Sequence, residues 1–302
     1  MSMKDNHFEV IIIGGSYSGL SAAMALGRAS RKVLIIDSGK PCNRQTPHSH
    51  NFITHDGETP AAIAQKAKDQ VLKYPTVQFV NDKAIDVIST ENGFTITTES
   101  NITYQSQKIL FATGVYDIMP DIDGFAESWG ISVIHCPYCH GYEVKGQKTA
   151  ILANGDVAYH YAMLLQQWTK NLTILTNGKA DFNDEQLAKL ESNAIPIIES
   201  TVTQLIHKQG QLESIEFNDE ITHDFPVIYS RTAFKQHCDI AEKLNLLDEN
   251  GYIAIDEMQK TNIEGIYASG DCTTPLRTVA VTVASGTKAG AAINNDMAAE
   301  AF

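Results

Sequence analysis

An α/β architecture of two Rossmann-like, three-layer domains is predicted by three observations. Apolar strand-like runs alternate with small-residue helical runs, two strand-helix-strand passages carry a nucleotide-type loop, and a Cys-x-x-Cys lies between those passages. The chain has 302 residues, 43% hydrophobic and 20% charged, which is enough for two domains with sizeable cores. Its net charge of -13, without a run of Lys and Arg, argues against nucleic acid or an anionic membrane surface as partner. The apolar stretch VIIIGGSYSGLSAAMALG is broken by Gly14, Gly15 and Gly19, too interrupted for a signal peptide or a membrane span. Five cysteines in such a chain fit a reducing compartment, so the cytoplasm is the expected location.

The elements follow in order. FEVIIIGG is a buried strand ending on glycines, SGLSAAMALGRA has helical spacing, and KVLIID is a second buried strand stopping on Asp37. Between the strands, Gly14-Gly15-Ser16-Tyr17-Ser18-Gly19 is a variant of Gly-x-Gly-x-x-Gly with serine at the middle glycine. Small residues there let the backbone turn tightly and approach a pyrophosphate, whose charge rests on helix N-terminal amides. Asp37, followed by Ser38, stands where a carboxylate accepts hydrogen bonds from a ribose. FTITTE, NITYQS and KILFATG read as three alternating strands, a meander that interrupts a flavin-binding Rossmann fold before the chain returns to the sheet at Ala112-Thr113-Gly114. GIYASGDC is a strand ending in Gly270-Asp271, and RTVAVTVASGTKAGAAINNDMA is a long small-residue helix. A strand-end aspartate beside a helix N-terminus can bind ribityl hydroxyls while the dipole faces an isoalloxazine; an ordinary turn with a capping aspartate is the alternative.

CPYCHGYE, residues 136 to 143, holds Cys136 and Cys139 two residues apart with His140 directly after. Such a pair can be half a zinc site, a packing pair or a redox dithiol. Zinc would need a second ligand pair, whereas Cys42, Cys238 and Cys272 stand alone, so no metal is expected. These three cysteines are expected to pack, with Cys272 the one to watch because it adjoins Asp271. His48, His50 and His55 crowd the loop TPHSHNFITHDG, and one of them is expected to face substrate or flavin; Tyr159, His160 and Tyr161 look like a helix face. The second strand-helix-strand passage, KTAILANGDVAYHYAMLLQQWTKNLTILTNG, departs from the fingerprint because its loop, Ala153 to Ala158, puts alanine at the first glycine. Its second strand ends on Thr176-Asn177-Gly178, without a charged reader for a ribose or a 2'-phosphate, and Lys179 and Arg231 are the first candidates to replace one. Use of NADPH is therefore left open.

The order of Gly-rich start, Ala112-Thr113-Gly114, Cys136-Pro137-Tyr138-Cys139 and Gly270-Asp271 resembles the low-molecular-weight thioredoxin reductase family over essentially the whole chain. The resemblance implies an FAD domain in two pieces, residues 1–117 and 246–302, enclosing a smaller NAD(P)-binding-like domain, residues 118–245, that carries the dithiol. It implies that Gly14, Gly15, Ser16, Gly19, Asp37, Ser38, Asn51, Ala112, Thr113, Gly114, Gly270, Asp271, Arg277, Thr278 and Val279 hold FAD. It further implies a homodimer in which Cys139 faces the flavin while Cys136 exchanges with substrate, either a thioredoxin-like protein or a small dithiol or disulfide. His140 stands where members with a thioredoxin substrate carry an aspartate, and an imidazole, with an ordinary pKa of about 6.5, suits proton transfer at a thiol. The Cys-Pro-x-Cys-His-Gly-Tyr-Glu form is also similar to the dithiol oxidases of gliotoxin and holomycin biosynthesis, which close disulfides in small metabolites and pass electrons to oxygen. Three electron routes stay open: pyridine nucleotide to disulfide, dithiol to oxygen, or another donor such as ferredoxin. A flavin-bound redox sensor is the non-enzyme alternative.

Overall fold

In the computed structural model, residues 6–302 are described. The chain opens with β1 (His7–Ile13), α1 (Tyr17–Arg28), β2 (Val33–Asp37), α2 (Pro60–Val71), β3 (Val77–Asn81), β4 (Ala84–Thr90), β5 (Gly93–Thr98) and β6 (Thr103–Phe111). Val10 to Ile13 and Val33 to Ile36 are buried on both faces, the pattern of inner parallel strands covered by layers on either side. The sheet runs β3-β2-β1-β6 in parallel and continues antiparallel through β5 and β4.

NITYQS and KILFATG, expected as two strands, form the single strand β6. Its first half alternates between buried and exposed against β5, and its second half is buried throughout because there it pairs in parallel with β17 (Ile266–Ala268). A change of partner, not a turn, causes the change of pattern.

From β7 (Val115–Ile118) the chain enters a second unit: α3 (Phe125–Ser128), β8 (Val133–Ile134), α4 (Pro137–His140), β9 (Thr149–Leu152), α5 (Gly155–Leu165), β10 (Leu172–Leu175), α6 (Asp184–Ser192), β11 (Ile197–Ile198), β12 (Val202–Lys208), β13 (Gln211–Phe217), β14 (Thr222–His223) and β15 (Val227–Ser230). Its parallel sheet has the order β11-β10-β9-β15-β8, and β12 to β14 form a separate antiparallel sheet. The chain leaves by β16 (Ala233–Gln236), which pairs antiparallel with β7 and sets Phe234 opposite Asp117. After it, Cys238 and the buried residues of α7 (Ile240–Lys243), Ile240 and Ala241, pack into the first unit's core beside Ile11, Ile109 and Ile266. The return crossing thus lies at β16, ahead of the 245/246 boundary read from the sequence.

The last helix, α8 (Val279–Ala301), packs on α1. Its small residues have a steric reason: a Cβ on Gly286 would stand 2.2 Å from Ser18 O and one on Gly290 2.6 Å from Ala22 O. This close approach brings the N-termini of both helices to one cleft. Among the described residues no helix is long and apolar enough to cross a membrane.

Candidate active site

The turn after β1 is built for close approach. Gly14 has φ +108°, and a Cβ there would lie 2.2 Å from Ala112 O, while one on Gly19 would lie 1.9 Å from Gly14 O. Ser16 caps α1 only by position, since its side chain accepts no hydrogen bond from the helix. The first amides of α1 therefore lack a capping side chain and face a cleft. Asp37 accepts from Gly15 N at 2.6 Å and Gly39 N at 2.7 Å, which fixes its carboxylate at the cleft edge.

Two adjoining clefts meet at Ser16, Ala112 and Thr113. The second runs past Gly14, Gly15, Asp37 and Ser38, with Phe79 and Lys68 beside them. The first runs past Gly114, Gly270, Asp271, Arg277, Thr278 and Val279 to Cys139 and His140. Gly19 and Asn51 line neither. Gly19 lies beneath Gly14, and Asn51 sits in an exposed left-handed turn with φ +60°, its N–H donating to Asp56 Oδ1 at 2.8 Å.

Asp271 follows β17 and is covered from several sides. Thr282 Oγ1 donates to its Oδ1 at 3.0 Å, Cys42 Sγ is 3.8 Å from Oδ2, and Arg277 Nε is 3.9 Å from Oδ2. Burial pushes its carboxyl pKa up, partly offset by Arg277. Arg277, placed on the sequence as a cofactor contact, spends its two terminal nitrogens on Asp117 of β7 at 2.8 and 3.0 Å; its buried Nε has no hydrogen-bond partner. Burial alone would raise the Asp117 carboxyl pKa, but these two hydrogen bonds override it and hold the group low. Neither Asp117 nor Cys42 was singled out as functional from the sequence. Cys42 lines the cleft, and burial pushes its thiol to about 11, whereas Cys272 is sealed in the core.

Cys136 and Cys139 form a disulfide. Cys136 ends the extended segment after β8 and is the N-cap of α4, its Sγ accepting from Cys139 N at 3.2 Å. Gly141 is obligatory behind them, because a Cβ would stand 2.4 Å from Pro137 O and 2.8 Å from Trp168 Nε1. The two sulfur-bearing residues line different spaces. Cys139 and His140 line the first cleft, while Cys136 lines a third cleft between the two units.

Burial lowers the His140 pKa below its ordinary value, with Glu143 pulling it up and His50 pushing it down. His50 Nδ1 lies 3.5 Å from Glu143 Oε1 and 3.6 Å from Asp56 Oδ1, so this histidine of the crowded loop reaches the dithiol segment. His48 instead bonds Gly57 O and His55 bonds Glu58, so the three histidines do not converge. No group of three metal-binding side chains occurs among the described residues. His135, also missed, stacks on Trp129, and burial next to Arg277 drops its pKa to about 4.

The second nucleotide-type loop is closed by its own side chain. Asn154, just ahead of Gly155 at the middle-glycine position, is the N-cap of α5: its Oδ1 accepts from Gly155 N and Asp181 N, each at 2.9 Å, and its Nδ2 donates to Lys179 O at 2.8 Å. Thr176 Oγ1 donates to Gly178 O at 2.6 Å and Asn177 Oδ1 accepts from Val202 N at 2.8 Å, so both turn into the protein's own backbone. Lys179 is exposed, and Arg231 lies between this crevice and the cleft at Cys136.

The open α1 terminus, the glycine-walled turn and the buried Asp271 with Arg277 Nε beside it suit a dinucleotide with a polyhydroxyl linker. Residues 8–287 match the pyridine nucleotide-disulphide oxidoreductase family. The chain is 30% identical over 307 residues to thioredoxin reductase sirT of Leptosphaeria maculans, covering 95% of this chain and 93% of that protein. Among solved structures it resembles TrxB of Bacillus anthracis, with a TM-score of 0.93, 30% identity and coverage of 98% and 100% of the two chains. It also resembles an oxidoreductase from Agrobacterium tumefaciens, with a TM-score of 0.90, 33% identity and coverage of 96% and 98%. The chain therefore belongs to the pyridine nucleotide-disulphide oxidoreductase family, as a thioredoxin reductase-like enzyme whose cofactor is FAD.

Proposed function

We propose that this enzyme oxidises small dithiols to disulfides at Cys136 and Cys139, with dioxygen as the final oxidant. The observation that carries the reading is the Asn154 carboxamide lying across the loop where a pyridine nucleotide's pyrophosphate would need bare backbone. Gly14, Asp37, Asp271 and Arg277 would hold FAD along the two adjoining clefts. When bound, FAD supplies the two-electron acceptor for the reduced cysteine pair and returns those electrons to dioxygen, giving hydrogen peroxide.

The chain's own groups do the rest. One substrate thiolate, entering by the third cleft, attacks Cys136 Sγ; the Cys136–Cys139 bond breaks and its electron pair leaves on Cys139. The second substrate thiolate attacks the substrate sulfur of the mixed disulfide, which frees Cys136 and releases the product disulfide. Two thiol protons must depart. With a lowered pKa, His140 is neutral near pH 7 and can accept one of these substrate protons, passing it toward His50 and Glu143, while Cys139 is held as the thiolate.

The test follows oxygen uptake and peroxide release by the aerobic enzyme with dithiothreitol, and flavin bleaching by NADPH or NADH without oxygen. Stoichiometric peroxide with the dithiol and slow bleaching by either nucleotide are expected. Fast, saturable bleaching by micromolar NADPH overturns the reading in favour of nucleotide-driven disulfide reduction.

A further inference from the structure

Cys136 does not open onto a bare surface. Its cleft has one wall from the second unit, with Trp129, Tyr138 and Tyr161, and another formed by Phe234 of β16 and Tyr252 of the first unit. The rings of Phe234 and Tyr252 pack against each other, tilted by 31° with centroids 4.6 Å apart, and Tyr161 is oriented by donation of its hydroxyl to His135 O at 2.8 Å. Such walls accept an apolar body and leave little to hydrogen-bond to it.

The charges on these walls are unequally committed. Arg277 is bound by Asp117, and Asp156 accepts from Gln186 Nε2 at 2.7 Å. Arg231, close enough to Tyr161 and Tyr252 to influence both phenols, has neither an ion pair nor a hydrogen bond among the described residues. An uncommitted guanidinium at an apolar cleft is the complement of a carboxylate, which it can bind with two parallel hydrogen bonds.

We infer that the cleft at Cys136 selects low-molecular-weight dithiols with an apolar body and a carboxylate, and that Arg231 is the residue that reads the carboxylate. This rests on the reading that Cys136 exchanges with a small dithiol. The exchange is the one already written, with dioxygen as oxidant; Arg231 takes no electrons or protons and acts through binding.

Dihydrolipoate and dihydrolipoamide share one dithiol and differ by a negative charge, so their kcat/KM ratio isolates the contact. Wild-type enzyme should prefer the acid by about tenfold to a hundredfold, carried by KM, as one charge-assisted hydrogen bond or a bidentate pair allows. In Arg231→Leu the ratio should fall to near one, and in Arg231→Lys it should recover in part, with FAD content and melting temperature confirming that both variants fold. A ratio near one in the wild type overturns the inference, as does a ratio that survives in Arg231→Leu. A variant that loses only nucleotide affinity also overturns it and assigns Arg231 to the crevice of the second unit. If wild-type enzyme fails to turn over even dithiothreitol, the underlying reading falls first and this one with it.

Discussion

Asp271 is poor for the empty fold and, as the proposed FAD contact, would be good for the loaded one. Its carboxylate is buried with two donors, the Thr282 hydroxyl and the Cys42 thiol, and a guanidinium nitrogen too distant for a hydrogen bond. Since burial raises its folded pKa, the native state binds the extra proton, and flavin-free protein should lose stability as pH rises from the unfolded carboxylate value, about 3.9, through the folded one. Asp271→Asn should therefore stabilise flavin-free protein at pH 7 while weakening FAD retention by roughly tenfold or more, the worth of a charge-assisted hydrogen bond. Calorimetry with and without FAD separates the two effects, and an unchanged flavin content removes Asp271 from the site. His140 has the opposite sense. Its depressed pKa keeps the base form available below pH 6.5, and the acid limb of kcat should fall only as pH drops through the lowered value. Glu143→Gln removes a negative neighbour and should move that limb to lower pH, whereas His50→Gln should move it higher; coincident pH profiles for the three proteins exclude the relay. The cysteines, His140 and Asp271 were legible because they sit in short motifs. Asp117, Cys42, His135 and the His50–Glu143 contact were not, because each depends on a meeting across 90 to 230 residues of chain or on burial that no local pattern announces.

The instructive elements are the two helices that begin after a nucleotide-type loop. α1 starts with an N-cap serine that makes no cap hydrogen bond, and α5 starts with an asparagine that makes one and also bonds the loop after β10. From sequence both loops read as the same motif, one with an alanine at its first glycine. What separates them is the residue between the first and middle glycine positions: the first loop has Gly15 there, without a side chain, and the second has Asn154, whose carboxamide spans the gap. Replacing Ala153 and Asn154 together by glycine should speed flavin reduction by NADH or NADPH by at least tenfold. It should also cost about 1 to 2 kcal/mol of stability, through the lost cap and two cross-loop hydrogen bonds. Stopped-flow and thermal melts measure both; unchanged nucleotide rates would mean that Asn154 is not the obstacle. The sheet-forming runs were legible wherever burial was uniform, as in β1 and β2, and misread at β6, where one strand changes partner midway.

At the scale of the molecule, two chain crossings, β7 and β16, join the units as one antiparallel ribbon. Asp117 on that ribbon is fastened to Arg277, which lies beside Asp271 at the cofactor end of the first unit. The pair is mostly buried, with 15% and 6% of the side chains exposed, so removing one member leaves an uncompensated charge. Arg277→Met should destabilise the protein by about 3 to 5 kcal/mol, and adding Asp117→Asn should recover part of that loss; additive losses in the double variant would show that the pair is not coupled. The ribbon also reaches both clefts of the disulfide, with Val115 lining the one at Cys139 and Phe234 the one at Cys136. The cysteine pair thus has one member on each of two clefts, which adjoin at His135, Arg277 and Thr278. If the enzyme works as the dithiol oxidase proposed above, the dithiol can leave as disulfide before the oxidant arrives, and initial rates plotted in double-reciprocal form should give parallel lines, each reactant leaving the other's slope untouched.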